Sequence, residues 1–551
     1  MDSIVSDVAP PLLQVLTDHI CRSFSLHSAE GSVEEEMEAV ELALRAFQAC
    51  TMQTLARLRT RQNELVPVHR LPNELLGAIF VLAGSTSFQV SGWPASFSIS
   101  QVCKLWRQVA LNTPRLWMNI DVSAGDELAS IYVERSGTAP LNLSVNFGVL
   151  PSQDDKTREI YWSRYADRWS RLSIQNPSPI TTSQDCALRW LTHSAPILEA
   201  LEISTQQRFG RQRSLDVSLD IQMPRLREVK LAGLYLPLTL PIFRGLTILH
   251  LTRIMYTFMT AISLLRVLVE CPALEELRFD LLVIEGGSDR DEIPGNTMPE
   301  IVDLSHLRVI TLRHLPVRTT QYLLVHIAIP PRAALEVLLD CLQPDEDLTH
   351  TLPPNLTHLS NLFSVTALEF FVTPSSGTRA CFLRGRDAAG ASLLSISVRK
   401  NNNNAPVQRI MASLGPSLSI MPLRAFVLHL YANGRWSASA FCRTLDYFPS
   451  IKALAFHECH QKFLKALAYS NGRAVCPSLE ALMISDCAIP NHALAHLVWS
   501  RTAHNKDLGS GMVCLKSVHL YGPLYADNTA AALSPYAEAS WDPEKLTELE
   551  E

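Results

Sequence analysis

A chain of 551 residues exceeds what one hydrophobic core organises, so it divides into several domains or extends as an array. Hydrophobic residues make up 47% and charged residues 19%, an ordinary balance for folded protein, and a formal net charge of −6 with no Lys/Arg-rich block argues against nucleic acid as a partner. No apolar run is long enough for a membrane span, and the opening residues, with Asp2 and Asp7 and no basic stretch, do not read as a secretory leader.

Residues 1–66 form an N-terminal region dominated by one long helix, about 32–65. Ser32 and Glu35 are spaced as a capping box; Glu34, Glu35 and Glu36 suit the positive end of the helix dipole, and Arg57, Arg59 and Arg61 the negative end. Val33, Met37, Val40, Leu44, Leu55 and Leu58 supply a broken apolar stripe. Clean heptads are too few for a long coiled coil, so the helix reads as docked on its own protein, with self-association through it as the alternative. Pro67 ends it.

Residues 67–120 read as a small helical domain. Pro72 opens a helix whose Leu75, Ile79 and Leu82 line one face, widened by Leu76 and Phe80. A second helix starts near Ser100, with Val102, Cys103, Trp106, Val109 and Ala110 as its apolar face and Pro114 past its end. Two short helices with faces this wide cannot bury everything against each other, which leaves apolar surface for a partner.

Residues 121–535 are repetitive. A hexamer L-x-x-L-x-L, with other apolar residues substituting, starts at Trp169, Leu198, Leu226, Leu246, Leu274, Leu307, Val365, Leu393, Leu423, Ile451, Leu479 and Leu515. Steps from Leu198 to Leu226, Val365 to Leu393 and Ile451 to Leu479 fall in the range of about 20–29 residues typical of leucine-rich repeats. Pro196, Pro224, Pro272, Pro449 and Pro477 each stand two residues before a hexamer, where proline stops a helix and starts an extended segment. The fold class is therefore α/β: N-terminal helices followed by an irregular solenoid resembling leucine-rich repeats, parallel strands inside and helices outside. Asn401–Asn404 read as a loop, and residues 536–551 as an acidic, frayed tail.

The segment from Leu71 to Trp117, through "LPNELLGAIF", "VCKLWRQVA" and "PRLW", resembles an F-box, and the following "ELASIYVERSGTAPLNLSV" is similar to the equivalent stretch in F-box-like proteins of mushroom-forming fungi. That resemblance implies docking to a Skp-type adaptor, and through it to a cullin, in an SCF (Skp–cullin–F-box) ubiquitin ligase. The docking residues it implies are Leu71, Pro72, Leu75, Ile79, Val102, Cys103 and Trp106. The surplus apolar face would then be the adaptor face; the alternative is an internal seam in a helical cap on the solenoid.

Nothing nominates an enzyme: there is no Gly-rich phosphate loop, no GxSxG elbow and no HExxH motif, and no cofactor is implied. The twelve cysteines are scattered without a CxxC pair or zinc-ligand spacing, as for reduced thiols of a cytoplasmic or nuclear protein. Cys459 and Cys487 each fall eight residues into a repeat, at the inward-turned corner of a leucine-rich repeat, and read as structural rather than metal-binding. Residues between the apolar positions of the hexamers face the concave side. Lys230, His250, Arg278, Arg313, His519 and Tyr521 are the candidates there for gripping a target protein, against the alternative that each is an ordinary solvated strand residue.

Overall fold

A computed structural model of the chain describes residues 33–86, 95–147, 153–176, 183–206, 222–256, 261–284, 301–340, 346–374, 379–400, 405–430, 437–469, 474–502, 512–525 and 527–542, with Gly210–Arg211 and a few positions before residue 33. Ser32 and Asn401–Asn404, read above as cap and loop, lie outside the described residues. The chain separates into two compact units, one of residues 1–120 and 125–141, the other of residues 121–124 and 142–551. The first unit thus takes in residues 125–141, which the sequence assigns to the repeats.

In the first unit, helix α1 spans Val33–Glu64. A single 3-10 turn at Pro67–Arg70 leads to α2, Asn73–Thr86. Pro72 ends up just outside α2, its carbonyl accepting the Leu76 N–H at 3.1 Å. The second helix differs from expectation, starting after Ser100 and not at it, with another short helix ahead of it. Helix α3 covers Ala95–Ser100, and after a turn α4 covers Lys104–Leu111. The break has a local cause: the Cys103 backbone is extended and its thiol accepts the Trp106 N–H at 3.5 Å, so Cys103 is the N-cap of α4.

Leu76 and Phe80 of α2, Val109 and Ala110 of α4, and Leu116 and Trp117 of the 3-10 turn Pro114–Trp117 form the buried centre. The Trp117 indole N–H donates to the Ala110 carbonyl at 2.8 Å, satisfying its one polar group inside the core. A Cβ on Gly77 would stand 3.1 Å from Thr113 Oγ1, so glycine is what lets α2 approach the Thr113 turn. Helix α5, Asp126–Ser136, closes the unit with Tyr132 against Phe97 and Trp117, and the Arg135 guanidinium lies 4.4 Å over the Trp117 ring.

Among the described residues the large sheet has seventeen strands. They are β1 Asn119–Asp121, β2 Leu141–Asn146, β3 Trp169–Asn176, β4 Ala200–Thr205, β5 Glu228–Ala232, β6 Ile248–Thr252, β7 Glu276–Asp280, β8 Val309–Arg313 and β9 Ala334–Leu339. They continue as β10 Ala367–Pro374, β11 Arg379–Arg386, β12 Ser392–Lys400, β13 Ala425–His429, β14 Ala453–His457, β15 Ala481–Ser485, β16 Ser517–Tyr521 and β17 Glu538–Asp542. From β3 to β9 each strand pairs in parallel with the next, as do β13 to β17. Every hexamer overlaps one of these strands, most of them starting two residues ahead of it, and the result is a solenoid-like α/β arrangement.

The centre departs from that regularity. Strand β9 pairs not with β10 but with β12, β11 runs antiparallel between β12 and β10, and β10 pairs in parallel with β13. The step from Val365 to Leu393 is therefore the length of an antiparallel meander and not one turn of the array. The steps from Leu198 and Ile451 are single turns, because β4 pairs with β5 and β14 with β15.

Burial alternates along the strands, as in β5, where Val229 and Leu231 are buried and their neighbours half-exposed. Helices such as Ala261–Val269, Ala438–Leu445 and Asn491–Ser500 contribute Leu264, Leu268, Phe441, Leu445, Leu494 and Leu497 to the core. Phe441 sits within 5.5–5.9 Å of Phe426, Phe456 and Phe463 and so joins neighbouring turns. Each proline before a hexamer is the second residue of a turn: the N–H of Leu198, Leu226, Leu274, Ile451 and Leu479 returns to the carbonyl three residues back.

Seven of the described strands end alike. Gly233, Arg253, Leu281, His314, Glu458, Asp486 and Gly522 all have φ between 50° and 94°, one residue past their strands. Each donates its N–H to a carbonyl at the end of the neighbouring strand, for instance Arg253 to Asp280 at 2.8 Å and Gly522 to Asp542 at 3.0 Å. That last pair belongs to β17, which lies within the stretch read above as a frayed tail.

Candidate functional site

Two surfaces gather the candidate residues, one in each unit. In the first unit, α2 carries adjacent leucines with opposite fates. Leu76 is buried, whereas Leu75 is 52% exposed. The helical period continues both: Phe80 follows Leu76 inward, while Ile79 and Leu82 follow Leu75 outward at 46% and 67% exposure. Pro72 is exposed ahead of them, and Val102, before the α4 cap, is 58% exposed. Leu82, missing from the implied docking set, extends this apolar ridge; its i+7 spacing from Leu75 is the signal that finds it.

The other implied docking residues are partly occupied inside the unit. Leu71 is half-buried. The Cys103 thiol caps α4 and lies 3.7 Å from His69 Nε2. The Trp106 ring is 4.8 Å from Phe80, and its buried Nε1 has no hydrogen-bond partner. The exposed apolar set accordingly consists of Pro72, Leu75, Ile79 and Leu82 along α2, with Val102 ahead of α4, while Trp106 and Cys103 are engaged in packing and capping inside the unit.

In the second unit, strand register decides which candidates meet. Lys230, His250 and Arg278 stand side by side on β5, β6 and β7. Arg313 on β8 is one register row further along, next to Asp280, and is 3.0 Å from Glu336. His250 is 3.4 Å from Glu276, and Arg278 3.5 Å from Asp280. Burial, and then the Lys230 charge, lower the His250 pKa, so the imidazole is neutral at pH 7. His519 and Tyr521 share the same two register rows but lie on β16, eight strand spacings from Arg313, roughly 38 Å measured along the sheet. His519 Nδ1 is 2.7 Å from Ser540 Oγ. A single small ligand cannot touch all six residues; an extended protein surface can.

Between these ends the same face carries side chains that the repeat pattern did not single out. Phe382, Phe371, His429 and His457 occupy consecutive strands of one row. The phenyl rings are stacked 4.7 Å apart, the imidazoles 5.6 Å apart, and the Arg384 guanidinium lies 5.6 Å over Phe371. Burial, and then His429, bring the His457 pKa down to about 4. Beside this row Glu369 is buried between Arg384 at 3.6 Å and Arg386 at 3.5 Å. Only the antiparallel meander brings Phe371 and Phe382 together, so no signal within a single repeat could have found the pair.

The corner cysteines have backbone work. Cys459 Sγ reaches the Leu428 carbonyl at 3.3 Å, and the Cys459 N–H donates to Cys487 Sγ at 3.2 Å. Burial, together with the neighbouring Cys487, raises the Cys459 pKa well above its ordinary value. Among the described residues no group of three His, Cys, Asp or Glu side chains is placed to hold a metal ion, and no helix is long and apolar enough to cross a membrane.

Comparison with known proteins bears on the first of the two surfaces. Residues 68–123 match the F-box-like family, and this stretch is an F-box-like domain. No curated protein matches the chain. Among solved structures, the crystal structure of the Rad7 and Elc1 complex in yeast is similar over 94% of this chain and 99% of that chain, at 12% sequence identity and a TM-score of 0.25.

Proposed function

We propose that the chain is a substrate-recognition subunit of an SCF-type ubiquitin ligase: the F-box-like domain docks a Skp-type adaptor and the strand face holds a target protein. One observation carries this reading, the exposed apolar side chains of Leu75, Ile79 and Val102 on a domain matching the F-box-like family. Side chains this large and half-exposed each add about 1 kcal/mol when a partner covers them. Several together support a stable contact. The repeats that follow the domain in the sequence, read as leucine-rich-repeat-like, supply the second surface, where the row from Lys230 to Arg278 and the aromatic row at Phe371 are the contact regions. In this reading the chain has no catalysis of its own, works in the cytoplasm or nucleus, and raises the local concentration of target lysines near enzymes that others bring. The stretch after the domain, similar to that of fungal F-box-like proteins, fits the same reading.

A scaffold with no ubiquitin role is the second reading. It is favoured by the internal use of Cys103 and Trp106, which takes two implied contacts out of the exposed set. Co-purification decides between them. Tagged full-length chain should capture a Skp-type adaptor, and Leu75→Asp with Ile79→Asp should reduce capture at least tenfold while leaving the unfolding transition in place. If the folded wild-type chain captures no adaptor, the ligase reading fails and the scaffold reading takes its place.

A further inference from the structure

Helix α1 is long and almost bare. Of its described side chains only Ala43 is buried, with Phe47, Thr60 and Asn63 partly covered. Val33, Met37, Val40, Leu44, Leu55 and Leu58 are between 43% and 75% exposed. At 3.6 residues per turn these six, with Phe47, fall within an arc of about 80°, a single seam along roughly seven turns. Their four-three spacing from Val33 through Phe47 is that of a helix meeting another helix. Thr51 and Thr54 interrupt the seam, but their hydroxyls donate to the Phe47 and Cys50 carbonyls of α1 itself. Covering them therefore strands no donor.

The charges say what the second helix is. Exposed Glu34, Glu38 and Glu41 lie in the first third of α1, with Arg45 just beyond it paired to Glu41 at 3.0 Å; Arg57, Arg59 and Arg61 outnumber Glu64 in the last third, and no charged residue falls from Ala46 to Ala56. A parallel pair of such helices would set acid against acid and base against base. An antiparallel pair sets each acidic third on a basic third. We propose that α1 pairs antiparallel with α1 of a second copy of this chain, making the protein a homodimer.

The heptad spacing fixes a register centred on Ala49. Val40 then opposes Leu58 of the second copy, Leu44 opposes Thr54, and Phe47 opposes Thr51. Glu41 and Arg59 stand at the same angle around the axis, about 80° from Val33, and in an antiparallel pair like flanks face each other. The acidic and basic thirds therefore meet on a flank as well as along the length. The dimer places two F-box-like domains in one assembly, whatever those domains bind.

The test is sedimentation equilibrium of the full chain, whose mass is 61.3 kDa. Twice that mass is expected at low micromolar concentration. Leu44→Glu with Leu58→Glu should return the single-chain mass with an unchanged unfolding midpoint. Orientation is read by cross-linking, which does not depend on how that double variant behaves. Chains carrying Cys50→Ser with either Val40→Cys or Leu58→Cys are oxidised alone and mixed. Disulfide-linked dimers that appear only in the mixture are the expected result. A single-chain mass up to tens of micromolar overturns the proposal, as does linkage of Val40→Cys chains to each other as readily as to Leu58→Cys chains.

Discussion

Arg501 is 1% exposed, and its guanidinium is spent on backbone carbonyls. Nε donates to Leu467 at 2.6 Å, Nη1 to Cys476 at 3.1 Å, and Nη2 to Val475. Burial lowers its pKa, yet an arginine starts high enough to remain charged at pH 7. The fork thus pins two separate stretches of chain, at Leu467 and at Val475–Cys476, to the end of the helix Asn491–Ser500. Arg501→Met keeps much of the volume but strands those carbonyls, at a cost on the order of 3 kcal/mol. Arg501→Lys should recover only part of that, since a point charge on a flexible stem cannot reach three divergent acceptors. The urea midpoint of the repeat unit checks both; a change under about 0.5 kcal/mol for Arg501→Met would show that water replaces the fork. The residue scale is also where the sequence reveals least. Leu75 and Leu76 are identical in type and adjacent, and only the helix axis, fixed by Gly77 against Thr113 and by Phe80 against Trp106, sends one to the core and the other to solvent.

At the scale of the element, the corner that recurs after seven of the described strands is the feature that sequence pattern alone misses. A left-handed backbone normally announces itself as glycine, but only Gly233 and Gly522 do so here; the same corner is made by Arg253, Leu281, His314, Glu458 and Asp486. Each non-glycine residue there carries a conformational cost, and the hydrogen bond to the neighbouring strand offsets it. Opposite signs are therefore expected at equivalent positions. Glu458→Gly removes the strain and should shift stability by no more than about 1 kcal/mol, in the favourable direction. Gly522→Ala combines φ of 94° with a Cβ 2.5 Å from Asp486 Oδ1 and should destabilise by about 1–3 kcal/mol. Urea titration of the two variants tests this, and destabilisation by both would mean that the corner is not strained at Glu458. The strands themselves are legible wherever the three apolar slots are filled, as at Leu226 or Leu479. Strand β9 hides because Arg332 occupies the slot matching Leu307, and β17 because Tyr536, Ala539 and Trp541 fill theirs. The order of β10, β11 and β12 was not legible at all, since a repeat length says nothing about strand direction.

At the scale of the whole molecule, an array in which each strand contacts only its neighbours is as sound as its ends. Strand β16 has a parallel partner on both sides because β17 pairs with it from Ser517–Glu538 to Tyr521–Asp542. Two further bonds tie β17 to the last corner: the Trp541 indole N–H donates to the Gly522 carbonyl at 3.2 Å, and the Gly522 N–H donates to Asp542. Removing β17 would bare the backbone donors and acceptors of β16, with His519 and Tyr521 on the same strand, and an open, flat parallel edge invites pairing with another chain. A chain ending at Pro535 should therefore lose solubility and unfold several degrees lower, while one ending at Asp542 should match the full chain in both respects. Light scattering during a thermal ramp separates the two. Because the F-box-like domain belongs to the other compact unit, the soluble fraction of the Pro535 truncation should keep whatever adaptor binding the full chain has. Equal solubility and melting for both truncations would mean that β16 is the natural end of the array and that β17 adds no protection to its edge.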